Sequence, residues 1–187
     1  MNRAAIFAAF RAARPRLFDD PAWIGIVDGI CDDAGIPRDG EHRRINAEGL
    51  ALIKESEGMR LKAYICPAGV LTVGFGSTGP HVKPGMVITE AEAEALLRDD
   101  LARFERGVEK LTGGHATDNQ FSAMVSLAFN VGLDAFKRST LLRKHMEGDT
   151  AGAADEFARW TRANGKILPG LVKRRAKEAA LYRRAGA

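Results

Sequence analysis

Apolar and polar positions along the chain fall into three regimes. In the first, Ala4 to Phe10 form an apolar run, and Trp23, Ile26, Val27 and Ile30 recur at helical spacing. This predicts helices over 2–13 and 22–34, separated by Pro15 and the Phe18-Asp19-Asp20-Pro21 stretch. Gly35, Pro37, Asp39 and Gly40 then read as a linker, so residues 1–44 form a helical N-terminal extension of unknown role. The second regime starts at Ile45. Asn46 is placed to cap a helix that carries Leu50 and Ile53, and Gly58 stands where that helix would stop. Residues 61–65 and 70–75 read as two short strands around a Cys66-Pro67-Ala68-Gly69 turn.

The third regime, after Thr89, is helical. Thr89-Glu90-Ala91-Glu92 is a capping-box pattern, and Leu97, Leu101, Phe104, Val108 and Leu111 then follow at spacings of four and three on one face. A second capping box, Thr117 to Gln120, opens the nearly all-apolar run Phe121–Phe129, which belongs at the centre of a bundle. Shorter helices are predicted over 139–147 and 150–163. Pro169 suits the first position of a last helix over 169–184. The architecture expected is α+β, mostly α: a small β-hairpin lobe joined to a helical C-terminal lobe, with a cleft in which a long polymer could lie.

Composition narrows the class. A chain of 187 residues with 45% hydrophobic and 28% charged residues suits a soluble globular domain with a short appendage. No run approaches the roughly 18 apolar residues of a membrane span. The start resembles an export signal, but Arg11, Arg14 and Arg16 cut the apolar run short and no small-residue cleavage site follows, so an amphipathic helix is expected there. Two cysteines, Cys31 and Cys66, suit a reducing cytosol better than a disulfide scaffold. The four histidines are scattered without a HExxH pattern, so no metal site and no cofactor are expected. Net charge is +4, yet residues 158–187 carry nine bases against Glu178 alone. That segment reads as a solvated basic face or as an attraction for a polyanion, whether nucleic acid or anionic wall. Few aromatics interleave these bases and no recognition-helix motif is present, so nucleic acid is not expected.

Gly74-Phe75-Gly76-Ser77-Thr78-Gly79 matches GxGxxG, the dinucleotide fingerprint. That motif needs a helix N-terminus directly after it to hold the pyrophosphate, and here Pro80, Pro84 and Gly85 follow instead. The glycines are better read as the end of a sharply twisted hairpin. A second constellation lies just upstream. A lone Glu near a helix end is usually a surface carboxylate, but Glu57 is followed after eight residues by Cys66, and after five more by Thr72, with Gly-Phe-Gly behind them.

This segment resembles the active-site region of the phage lysozyme family, the endolysins of glycoside hydrolase family 24, in which a catalytic Glu is followed at these spacings by Asp or Cys and then Thr. Downstream, Asp118-Asn119-Gln120-Phe121, Ser126 to Gly132, Phe136, Ser139-Thr140-Leu141-Leu142, Phe157-Ala158-Arg159-Trp160 and Gly165 to Arg175 are similar to that family's central helix and C-terminal signature. The resemblance runs from Ile45 to near the chain end and leaves 1–44 uncovered. It implies a two-lobed lysozyme-like fold and a muramidase that hydrolyses β-1,4 bonds of peptidoglycan glycan strands. Glu57 would be the acid that protonates the leaving oxygen, a role that an apolar surrounding would favour. Thr72 would seat the attacking water. Cys66 replaces the commoner Asp and could serve as base toward water or as nucleophile, which leaves an inverting or retaining outcome open. Thr78, Phe129, Asn130 and Ser139 are the expected substrate contacts, with Phe129 equally readable as core and Trp160 as core. The resemblance further implies a monomer held in the host cytoplasm until a holin-type pore releases it to the wall. A wall-binding module without catalysis and a virion-borne lysin are the alternatives.

Overall fold

The computed structural model describes residues 42–184 except 67, 68 and 164, together with positions 9, 12, 13, 26, 27 and 30. The two helices expected within 1–44, the linker after them and Cys31 lie outside the described residues. By spatial proximity the chain divides into Met1–Arg43 and Arg44–Ala187. The second unit carries the elements that place the candidate site.

Helix α1, Ala47–Glu57, begins where Asn46 accepts from the Gly49 amide and ends at Gly58, whose φ of 69° suits a residue without a Cβ. Three strands follow, β1 (Arg60–Ile65), β2 (Leu71–Gly74) and β3 (Ser77–Thr78), paired antiparallel in that order. The register sets Tyr64 opposite Thr72 and Thr72 opposite Thr78, with an irregularity between Arg60 and Tyr64. Residues 86–88 cover the other edge of β1 through Ala63 N to Met86 O at 2.8 Å and Ile88 N to Leu61 O at 2.9 Å. Gly74, the first glycine of the GxGxxG run, has a φ of 66° and lies against Ala93, while the next helix opens only at Glu90. The run therefore closes a hairpin and heads no helix.

The helical lobe comprises α2 (Glu90–Thr112), α3 (Asp118–Val131), α4 (Leu133–Lys137), α5 (Thr140–Met146), α6 (Thr150–Glu156) and α7 (Pro169–Arg183). Both capping boxes form, at Thr89 with Glu92 and at Thr117 with Gln120. Helix α3 is the axis of the core: Phe121 through Ala128 are all buried, because its sequence offers no polar face that needs water. Helices α1, α2 and α7 surround it. Gly49 lets α1 approach closely, since a Cβ there would fall 2.7 Å from Ser122 Cβ. Ile45 N to Glu105 Oε1 and Asn46 N to Ser122 Oγ, each 2.9 Å, tie the entrance of α1 to α2 and α3. Val73, Phe75, Val82 and Ile88 of the small lobe join the same hydrophobic cluster.

The helix predicted over 150–163 stops at Glu156. A 3-10 turn, Phe157–Arg159, follows, and then a hairpin of β4 (Arg162–Ala163) and β5 (Lys166–Ile167). Two causes act. Phe157 is fully buried and anchors the turn, and Gly165, at a φ of 76°, lies between the paired Ala163 and Lys166 where a residue without a Cβ is favoured.

Within the lobe, His145 of α5 is buried and its Nδ1 lies 2.6 Å from the Tyr182 hydroxyl of α7. Burial lowers the pKa of His145 below its ordinary 6.5 and raises that of Tyr182 to about 12. The fold thus prefers a neutral imidazole. Above pH 6.5 folded and unfolded chains are both neutral at this ring, and the stability it contributes is complete. As pH falls below 6.5 the unfolded chain takes up the proton first, and that stability is lost. The expected outcome is that wild type loses unfolding free energy faster than His145→Gln between pH 7 and pH 5. Urea unfolding at each pH checks this, and parallel curves for the two proteins would rule it out.

Candidate active site

The last residue of α1 is Glu57, one turn before β1. Its carboxylate is gripped from the far end of the chain, with Arg174 Nη1 of α7 donating to Oε1 at 2.8 Å. The apolar surrounding expected for Glu57 is therefore not what the structure provides. Arg174 is only 6% exposed while the Glu57 side chain keeps 27%, so a fixed cation lies behind the acid and open space in front. That space is a cavity of about 510 Å³ lined by Glu55, Ser56, Glu57, Asn130, Leu168, Leu171, Lys173 and Arg174, among others.

Behind Arg174 is a buried ionic cluster. Its Nε reaches Glu178 Oε1 at 3.2 Å and its Nη2 reaches Ser126 O at 3.3 Å. Glu178 is wholly buried, and Oε1 also accepts from Ser126 Oγ at 2.7 Å and Arg175 Nη2 at 3.1 Å. Arg175 is 1% exposed and also donates to Asn130 Oδ1 at 3.2 Å. Burial pushes the Glu178 carboxyl up against the pull of Arg175, Ser126 and Arg174, and burial brings Arg175 down to about 10. The cluster holds α7 to α3 and, through Glu57, to α1.

The reading of the C-terminal bases as a solvated basic face does not hold for two of them. Arg174 and Arg175 are interior. Lys177 meets Glu55 at 2.5 Å, Arg159 meets Glu156 at 3.3 Å, Arg183 meets Asp155 at 2.5 Å, and Arg184 meets Glu48. Only Arg162 and Lys166, on the β4–β5 hairpin, lack an acidic partner among the described residues. Glu48 and Glu55 of α1 and Asp155 and Glu156 of α6, all outside the segment, pair with Arg184, Lys173, Lys177, Arg183 and Arg159.

Cys66 and Thr72 flank the β1–β2 turn and share one acceptor. The Val70 carbonyl accepts from Cys66 N and from Thr72 Oγ1, each at 2.9 Å, and Gly69 N donates to Cys66 O at 2.8 Å. Cys66 is half-buried, whereas Thr72 is only 3% exposed. Neither lines the cavity beside Glu57. Topology relates them nonetheless: Arg60, three residues past Glu57, pairs with Gly74, two residues past Thr72.

The expected substrate contacts separate. Asn130 lines the Glu57 cavity. Thr78 is exposed at the edge of the sheet, opposite Thr72. Phe129 is partly buried against the core, its ring edge-on to Phe104 at 5.2 Å. Ser139 caps α5 through Leu142 N at 3.0 Å and borders a different cavity, of about 470 Å³, with Arg138, Arg159 and Trp160. Trp160 packs against the core from that side. Arg174, Glu178 and Ser126 were not anticipated as site residues. Two adjacent arginines four and three residues ahead of the segment's one acid were the available signal, since that spacing puts all three on one helix face.

The phage lysozyme family model matches residues 54–178. An endolysin of Bacillus phage PZA is 48% identical over 141 residues, covering 74% of this chain and 55% of that protein. An endolysin of Acyrthosiphon pisum secondary endosymbiont phage 1 is 48% identical over 142 residues, covering 74% of this chain and 97% of the other. The chain thus spans about half the length of the Bacillus phage relative and nearly all of the second. Among solved structures, the muramidase domain of SpmX from Asticaccaulis excentricus superposes with a TM-score of 0.70 at 38% identity, covering 78% of this chain and all of that one.

Removing one partner from a buried ion cluster strands the others without water. Arg174→Met is expected to lower the unfolding free energy by about 3–5 kcal/mol. Lys177→Met, which opens only the exposed pair with Glu55, is expected to leave the urea midpoint unchanged. Equal midpoints for the two variants would contradict the cluster's structural role.

Proposed function

The chain belongs to the phage lysozyme family, and from that premise we propose that it is a muramidase of the endolysin kind, cutting β-1,4 bonds between N-acetylmuramic acid and N-acetylglucosamine in peptidoglycan. The observation that carries this is the setting of Glu57, with one carboxyl oxygen anchored by Arg174 and the side chain lining an open cavity. An acid of this kind must meet a glycosidic oxygen from outside while its orientation is held from inside.

In this reading Glu57 protonates the leaving oxygen as the sugar develops oxocarbenium character. Thr72 is suited to hold the water. Its only proton is committed to Val70 O, so the hydroxyl oxygen can only accept, taking one proton of a water whose lone pair is then left for attack or for a base. Because Thr72 is nearly buried, it touches that water and not a sugar ring. Cys66, fixed by the same Val70 carbonyl, acts on this water as base or attacks the anomeric carbon itself. A thiol is only a few per cent ionised at neutral pH unless its surroundings favour the thiolate, so either role needs that fraction. Asn130, Thr78, Phe129 and Ser139 are proposed as contacts along the strand, Asn130 being the one on the Glu57 cavity. No cofactor takes part. The protein works as a monomer on peptidoglycan, held in the host cytoplasm until a holin-type lesion opens the way to the wall.

Glu57→Gln is expected to lower the rate of peptidoglycan cleavage by 10²–10⁴-fold, the usual share of a general acid. Cys66→Asp retains activity and Cys66→Ala loses it. Mass analysis of released fragments checks the bond: a hydrolysed reducing end at N-acetylmuramic acid is expected, and anhydro ends or peptide-bond cleavage would overturn the assignment. A fully active Cys66→Ala would remove the sulfur from the mechanism.

A further inference from the structure

Arg174 creates a conflict for the acid it orients. The guanidinium that fixes Glu57 Oε1 at 2.8 Å sets a full positive charge beside the carboxyl, yet an acid that protonates a leaving group must carry its proton when substrate is bound. Glu178 bears on that conflict. It is fully buried, it lies 3.2 Å from the same guanidinium, and it makes no contact with the cavity beside Glu57. It also draws on Arg175, whose Nε is 2.9 Å from Oε2. With Glu57 ionised, the two arginines and two carboxylates balance. With Glu57 protonated, the cluster keeps one net positive charge.

We propose that Glu178 is a positioning residue of the reaction, a buried counter-charge that holds back Arg174 and Arg175 so that Glu57 is oriented by Arg174 without being stripped of its proton. The inference rests on the muramidase reading of Glu57. Coulomb interactions inside a protein are screened far less than in water, so removing one anion from this buried set changes the field at Glu57. The other charged groups near Glu57 are poor substitutes. Lys177 and Lys173 lie 2.5 and 3.9 Å from Glu55 and offset it at the cavity mouth. Lys54 of α1 is spent on Glu94 at 2.8 Å. Helix α3 offers Ser126 and Asn130, both neutral, and its one charged residue, Asp118, is at the opposite end. In the small lobe Arg60 stacks over Tyr64 at 4.4 Å; Lys62, Cys66, His81 and Lys83 are the other titratable groups there, and none of them lines the cavity beside Glu57.

Ser126 adds a second, weaker lever. Its hydroxyl donates to Glu178 Oε1 at 2.7 Å, which favours the charged form of Glu178 and so sustains the counter-charge.

The experiment is the pH dependence of peptidoglycan solubilisation by wild type, Glu178→Gln and Ser126→Ala, each confirmed folded by circular dichroism. Glu178→Gln preserves shape and can still accept from Ser126 and the arginines. Its alkaline limb is expected to move to lower pH, so that the rate at the wild-type optimum falls about tenfold for each pH unit of displacement while the rate on the acid side is largely kept. Ser126→Ala should move the same limb in the same direction by less, and it decides the matter if Glu178→Gln does not fold. Uniform loss at every pH with the limb in place would show that Glu178 is merely structural and would overturn the inference. Wild type inactive at every pH would instead sink the muramidase reading itself.

Discussion

Two arginines and two glutamates meet between α7 and the helices it packs on, and most of the molecule's organisation is a consequence of that contact. Arg174 and Arg175 are interior side chains on a helix whose neighbours along the sequence are nearly all basic. Burying a guanidinium is tolerated only beside an anion and hydrogen-bond acceptors. Glu178 supplies the anion from the same helix and accepts from the Ser126 hydroxyl, while the Ser126 carbonyl and Asn130 amide oxygen of α3 and the Glu57 carboxylate of α1 accept from the two arginines. The side chain proposed for proton transfer is thus also the outermost member of the network that seats α7. Structure and chemistry share the same charges.

The small lobe solves a different problem. Cys66 and Thr72 share a backbone acceptor, the Val70 carbonyl, and the strand register pairs Tyr64 with Thr72. The glycine-rich run behind them lets the chain leave the sheet and reach α2, with Gly74 against Ala93. A hairpin on one side and a charge-locked helix end on the other is an arrangement that can bring a thiol and a hydroxyl-held water to the same glycosidic bond as an acid.

Local physics was largely legible in advance. Asn46, Thr89, Thr117 and Pro169 sit at helix starts because their chemistry satisfies or omits the free amides there, and this depends on neighbours only three residues away. The spacing of Glu57, Cys66 and Thr72 and the all-apolar face of α3 were equally readable. The helix expected over 150–163 was too long because its pattern ends once Phe157 is drawn into the core.

Sequence by itself therefore determined the elements, their caps and the order of the chemical groups, since each of these rests on short-range geometry. Only the tertiary structure decided that a basic C-terminal segment is in large part neutralised, and that Arg174, 117 residues from Glu57, is the group that holds it. The reason is physical: a charge's partner is chosen by distance in space and by exclusion of water, and neither quantity is written in the spacing of residues along a chain.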